Sequence, residues 1–561
     1  MSVKICIAEK TKDISLIYNS KDLIGDLICL PLNLEPYLYC IDKKIKFIDP
    51  INFIDNQFHK TILVEGENFV DSIIFDGKVS KTLALEIKSI LRHRFYSVLF
   101  ISELFKNIRK KYKIESIVIP KSNLKSHGYH SPIIDDITSN LFSESSIERM
   151  GNPAESNDET HSYAYKIEMK TKNNKKNILF NSIGYNFKRV IYSKIFSFKY
   201  NFYTFNDGQE KNISLIKRII LKLLRINIIN FKKINHNSEN ITFIKNINYK
   251  FSDPKIKKTI SLLTNKLENF FLDFYKKGNA IDDFLRNNSF SLILVSNVKN
   301  IGGFITENYK KIACPTVSIS HGIVSEKNST YDEIYKKIIA SAVFTSNSEY
   351  FAIQSKIAEN SLNTHKFNGK KIITGNILFS ENCNPKSTKK PKQILFAVTL
   401  KQFTNLQFLG VEMYYEFVKN LHLLNKLSLE KNIKTIVKIH PTEAKCIIYL
   451  KNYFKNLIFT NDPIDKLFNK CFVTVSFSSS VIEDSLHNRV PVILFDQWNR
   501  YIQCKSKNNS EKKALYYVNT YEDLCKSIDK ILSATEFDFE EFIYPTYSKE
   551  NINKKIFPLI K

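Results

Sequence analysis

Glycine is scarce, with 14 in 561 residues. Lysine, asparagine and isoleucine crowd the chain instead. That bias is typical of AT-rich coding, and it raises the lysine count without giving each lysine a role. No run of about 18 apolar residues occurs, so no membrane-spanning helix is expected. Met1–Cys6 is followed directly by Ile-Ala-Glu-Lys, without the apolar core and cleavage site of a secretory leader. The nine cysteines (Cys6, Cys29, Cys40, Cys314, Cys383, Cys446, Cys471, Cys504 and Cys525) form no CxxC pair, so zinc is not expected. Their odd number and scatter suit a reducing compartment, where they read as small buried hydrophobes. No zinc-finger spacing, helix-turn-helix or aromatic RNA signature occurs either, which argues against nucleic acid as a partner.

What is present is a folding composition. The chain is 43% hydrophobic and 13% aromatic, and its length calls for two or three cores. The formal charge of +27 suits phosphorylated small substrates and anionic lipid.

Apolar runs alternate with helical periodicity over much of the chain, the rhythm of an α/β protein with parallel sheets. Val3–Ala8, Lys60–Val64 and Ser116–Pro120 read as strands, and Lys81–Tyr112 as helical. The rhythm breaks at residues 146–250, which read as an irregular polar and basic insertion. It resumes over 251–380, with strands at Ser291–Val295, Pro315–Ser320, Ala342–Thr345 and Lys371–Gly375. Residues 381–393 read as a linker. Residues 394–540 repeat the alternation, and 541–561 form a tail. The expected fold is therefore α/β, with two Rossmann-like domains facing a cleft. The first domain is made of 1–145 and 251–380, the second of 394–540. In such sheets ligands sit beyond the carboxyl ends of the strands.

Three groups fall at those ends in the second domain. Lys438 and His440, before Pro441, lie two residues apart at the end of a strand and share a face. They suit a phosphate, or His440 caps the turn. Ser478, Ser479 and Ser480 lie between a strand and a helix, where amide groups and hydroxyls collect an anion, although a single serine would serve as an ordinary cap. Asp465, in Pro463-Ile464-Asp465-Lys466-Leu467, suits either ribose hydroxyls or a helix start. In the first domain His321, before Gly322, ends a strand and suits a base or a phosphate ligand.

Taken in order, His440-Pro441, then Asp465 before a leucine, then the serine cluster, resemble the C-terminal half of bacterial GT-B glycosyltransferases that use CMP-activated sugars. These are the sialyl- and Kdo-transferases of surface polysaccharides. The resemblance covers residues 290–535. It implies that His440, Pro441 and a serine pair (478–479 or 479–480) hold the CMP phosphate and that Asp465 holds the ribose. It further implies a metal-independent transfer with no cofactor beyond the nucleotide-sugar donor, and a glycan or lipid-linked glycan acceptor. The acidic-Gly motif of those enzymes has a partial match in Glu65-Gly66, which makes Glu65, or Glu67 beside it, a candidate base with His321 as the alternative. The same skeleton also resembles the CDP-glycerol and CDP-ribitol phosphotransferases, through Ser320-His321-Gly322 and His440-Pro441. A non-catalytic shell of the same architecture is a third reading. A sugar-nucleotide 2-epimerase is a weaker one, because no set of cleft carboxylates is evident.

Lys211–Lys233 contains no acidic residue. On a helix, Arg218, Lys222 and Arg225 share one basic face, with Lys217 beside Arg218, opposite isoleucines and leucines. The face is either simply solvated or a contact with an anionic membrane surface. The expected location is cytoplasmic, including the inner face of the cell membrane.

Overall fold

The computed structural model describes residues 2–18, 27–120, 133–143, 146–150, 163–171, 176–182, 187, 190–191, 199–206, 219, 221–235, 241–297, 299–308, 314–319, 333–335, 337–338, 347–363, 369–375, 377, 392–398, 400, 402–403, 412–500, 502–507, 512–544 and 551–560. The fold is α/β, organised on three wholly parallel sheets. The first contains β1 (Ser2–Ala8), β2 (Leu27–Pro31), β3 (Lys113–Pro120) and β4 (Ser146–Met150), in the order β2-β1-β3-β4. The second contains β5 (Lys176–Phe180), β6 (Tyr200–Phe205), β7 (Ile226–Ile229), β8 (Leu292–Val295), β9 (Thr316–Ser318), β10 (Tyr350–Ile353) and β11 (Lys370–Ile373). Its order is β11-β10-β9-β8-β5-β6-β7. The third contains β12 (Gln393–Ala397), β13 (Lys434–Lys438), β14 (Leu457–Thr460), β15 (Val473–Ser476), β16 (Val492–Phe495) and β17 (Leu515–Val518), in the order β14-β13-β12-β15-β16-β17. The second and third sheets each start in the middle, run outward for three strands, return and continue on the other side. That is the Rossmann order 3-2-1-4-5-6, extended by one strand in the second sheet.

Helices connect the strands. Those used below are α1 (Asn56–Asp71), α2 (Lys81–Arg109), α3 (Lys356–Asn363), α4 (Tyr414–Lys431) and α5 (Val481–His487). Among the described residues no helix is long and apolar enough to cross a membrane.

Residues 146–250, read as an irregular insertion, supply β5, β6 and β7 to the second sheet. β5 and β6 are buried on both faces, so they lack the alternation that marks a half-exposed strand. The first 150 residues thus hold a sheet of their own.

Lys60–Val64, read as a strand, lies inside α1. Asp55 caps that helix by accepting from Phe58 N at 2.7 Å, and Phe58, Ile62, Phe69 and Val70 recur at helical spacing on its buried side. Gly66 is explained by packing. A Cβ there would stand 1.9 Å from Cε1 of Tyr96 on α2, a fully buried ring. Gly66→Ala is expected to destabilise the chain by about 1–3 kcal/mol through this overpacking. Thermal unfolding checks it, and an unchanged Tm would show that Tyr96 has room to move.

The basic helix expected over Lys211–Lys233 does not run through Arg225. Arg225 takes a left-handed conformation (φ 55°), its N–H closes on Lys222 O at 3.0 Å, and β7 begins at the next residue. Three isoleucines in Ile226-Asn227-Ile228-Ile229 favour a sheet edge over a continued helix. Lys222 and Arg225 therefore share no helical face. Lys217 and Arg218 lie outside the described residues, as do Ala342–Thr345 and most of the 381–393 linker.

After the third sheet the chain returns to the second. Ile552, Ile556 and Phe557 are buried in one cluster with Ile178, Phe180 and Phe202.

Candidate active site

In the third sheet the strand order reverses between β12 and β15, so the crevice lies beyond their carboxyl ends. Ser476 Oγ donates to Ala397 O at 2.7 Å and ties the two strand ends together. The serine turn follows. Ser479 is buried and its Oγ accepts from Val481 N at 3.3 Å, whereas Ser478 and Ser480 are half-buried and Ser480 makes no side-chain cap bond. One serine caps the helix start and two are left at the crevice.

β13 lies on the other side of β12. At strand spacing its end is about 10 Å from that of β15. Lys438 Nζ donates to Ile439 O at 2.6 Å, and burial holds its pKa below the usual lysine value. His440 is exposed. Its Nδ1 lies 2.8 Å from Thr442 Oγ1 and accepts from Thr442 N at 3.4 Å, so it does cap the turn that begins at Pro441. Asp465 is exposed and opens a one-turn helix beyond β14, one strand further out, without capping it. The structure therefore brings Lys438, His440 and the serine turn to two neighbours of one strand and places Asp465 at the margin.

The carboxyl ends of the first sheet meet this crevice. Asn33 Nδ2 donates to Glu9 O at 2.8 Å, and Asn33 Oδ1 accepts from Phe403 N at 3.0 Å. Gln402 accepts from Leu34 N at 2.9 Å and donates to Glu443 at 2.7 Å. Tyr414 Oη donates to Pro31 O at 2.6 Å. The second sheet reaches the same region through Ser355, before α3, whose hydroxyl donates to the buried carboxyl of Glu483 on α5. Burial raises the pKa of Glu483 to about 7.

Glu65, the expected base, lies on α1, and its carboxylate accepts from the hydroxyl of Tyr249. Glu67 pairs with Arg92. His321 and Gly322 lie outside the described residues.

A second ionisable group was not anticipated. Glu412 and Glu416 at the start of α4, with Asp496 beyond β16, surround the guanidinium of Arg500. The Arg500 guanidinium contacts Glu416 at 2.6 Å, the Arg500 backbone N–H donates to Asp496 at 2.5 Å, and the guanidinium lies 5.0 Å from the ring of Phe477 and 5.1 Å from that of Trp498. Burial raises the pKa of Glu412 to about 8 and that of Glu416 to about 7. One oxygen of Glu412 accepts from Asn420 at 2.5 Å, and the other has no hydrogen-bond partner among the described residues. The first 150 residues close over this group: His59 lies 4.8 Å from the Trp498 ring and 2.5 Å from Tyr415 Oη. The pairs Glu412/Glu416 and Asp496/Arg500 are each four residues apart, the one trace of the group in the sequence. Glu416 and Asp496 are sealed against Arg500.

No protein-family model and no curated protein matches the chain. Similar solved structures include the UDP-GlcNAc 2-epimerase of Methanocaldococcus jannaschii in complex with UDP-GlcNAc and UDP, with 13% identity, a TM-score of 0.40, and 68% of this chain and 98% of that one covered. They also include the wall teichoic acid polymerase TagF, with 12% identity, a TM-score of 0.36 and coverage of 68% and 88%. A third is a TarM variant from S. aureus, with 13% identity, a TM-score of 0.38 and coverage of 69% and 100%. At these scores the likeness extends to no particular residue.

Proposed function

We propose that the chain is a nucleotide-sugar-dependent glycosyltransferase of GT-B architecture, with the third sheet as its donor domain. One observation carries this reading. The switch point of a Rossmann-ordered sheet presents Ser478 and Ser480 on one side of β12 and the Lys438–His440 pair on the other. Hydroxyls, an imidazole and an ammonium at that spacing suit the phosphate that departs when an acceptor hydroxyl attacks the sugar. The order of His440-Pro441, Asp465 and the serines supports a CMP-linked donor, of the nonulosonic acid or Kdo kind, and a surface-glycan acceptor.

A thermal-shift series with CMP, CDP, UDP and GDP tests the reading. A ligand at a hundred times its Kd is expected to add about 2.7 kcal/mol of stability, and CMP is expected to do so. His440→Ala and the triple alanine variant of Ser478, Ser479 and Ser480 are expected to stay folded. Each lost charge-assisted contact costs about 1.5–3 kcal/mol of donor affinity. No shift with any nucleotide would leave only a non-catalytic shell, and unchanged CMP affinity in both variants would reject the phosphate site.

A further inference from the structure

The first sheet also has a switch point, between β1 and β3, and Glu9 stands at the carboxyl end of β1. The surrounding bonds fix its place. Asp13 accepts from Glu9 N at 3.1 Å and from Lys10 N at 2.8 Å, which sets the turn and occupies the Asp13 carboxylate. The Asn33 carboxamide bridges Glu9 O and Phe403 N, which holds the Glu9 backbone within roughly 8 Å of the loop after β12 by hydrogen-bond lengths. Gln402, in that loop, bonds to Glu443 in the turn that His440 opens. Glu9 thus stands beside the crevice that holds the serine turn and Lys438–His440, on the opposite domain. No described residue hydrogen-bonds to its carboxylate, and the residue is half-buried. Glu65, by contrast, is bonded to Tyr249.

We propose that Glu9 is the acceptor-side base of the transfer described above. This rests on the glycosyltransferase reading. As the acceptor oxygen bonds to the anomeric carbon, its proton passes to Glu9. The bond from that carbon to the nucleotide phosphate oxygen breaks, and its electron pair leaves with the phosphate. Glu9 then returns the proton to water. The surroundings of the carboxyl favour proton transfer. Burial and Asp13 raise its pKa, Lys10 and Arg94 oppose them, and the balance falls at about 7. A base is most effective with a pKa near the working pH.

The experiment measures nucleotide release from CMP-N-acetylneuraminate, CMP-Kdo and UDP-N-acetylglucosamine, beside binding of the free nucleotides. Glu9→Gln is expected to bind nucleotide as the wild type does and to lose about 10²–10⁴-fold in release. The wild-type rate is expected to fall about tenfold per pH unit below pH 7, and this limb is expected to vanish in Glu9→Gln. Formate or azide is expected to restore part of the rate of Glu9→Ala, which a purely structural defect would not allow. Wild-type release by Glu9→Gln, an unchanged acid limb, or loss of nucleotide binding with activity would each overturn the assignment. So would a large loss in Glu65→Gln with Glu9→Gln unaffected. A wild type that binds nucleotide yet releases none from any donor leaves no transfer for Glu9 to assist and overturns it as well. A wild type that binds no nucleotide removes the glycosyltransferase reading itself, a distinct result.

Discussion

Arg500→Met is expected to cost about 3–5 kcal/mol of stability, the range for removing one partner of a buried ion pair. Arg500 is the one cation in direct contact with Glu416 and Asp496 among the described residues, and all three side chains are almost fully buried. Methionine fills part of the space between Phe477 and Trp498 but leaves two carboxyls without their counter-charge. In a unit of 150–250 residues the loss corresponds to roughly 6–20 °C in Tm. The deficit is expected to be larger at pH 8 than at pH 6, because protons take over part of the neutralisation at the lower pH. Adding Glu416→Gln is expected to return part of it. Calorimetry decides the matter, and a loss under about 1 kcal/mol would mean that water reaches the cluster.

Glu412→Gln is expected to act in the opposite direction. Burial raises the Glu412 pKa to about 8 from an ordinary carboxyl value of 4.5. Below pH 4.5 the group is protonated in both the folded and the unfolded chain, and stability is unaffected. Between about 4.5 and 8 the folded chain keeps a proton that the unfolded chain has released, so stability falls as pH rises. Above 8 the penalty is complete. Each unit of such a shift is worth about 1.4 kcal/mol. At pH 4 the variant is expected to match the wild type, since both then present a neutral group to Asn420 and the unfolded carboxyl is also protonated. At pH 8.5 it is expected to be more stable by more than about 1.4 kcal/mol. Glu416 and Glu483, each raised to about 7, add to the same slope and persist in the variant. Parallel stability curves for the two proteins across this range would place a charged Glu412 in contact with solvent.

The half built on the third sheet was legible in the sequence for a physical reason. Its strands are short apolar runs closed by polar residues, as at Val473–Ser476, where a helix follows directly. The serine turn and Lys438–His440 could therefore be placed at strand ends from the residues alone. β5 and β6 were not legible, because doubly buried strands of five and six residues amid lysine and asparagine carry no alternation. α1 was misread because Thr61-Ile62-Leu63-Val64 is rich in β-branched residues, while its helical signal lies in the Asp55 cap and the wider spacing. The Arg500 cluster and the Asn33–Phe403 stitch join residues 84 and 370 positions apart, a pairing that local pattern does not encode.

The tail that returns to the second sheet ties folding to the timing of synthesis. β11 ends at Ile373, but the cluster containing Ile178, Phe180 and Phe202 is completed only by Ile552, Ile556 and Phe557. At about 5–20 residues per second, the roughly 180 residues between them take about 10–40 s to emerge. For that interval the sheet is fully translated with one apolar face still open, while the third sheet is made beyond it. The nascent chain therefore passes through a stage in which a finished sheet waits for its cover, and chaperones or a neighbouring nascent chain meet an apolar surface that the mature protein never shows.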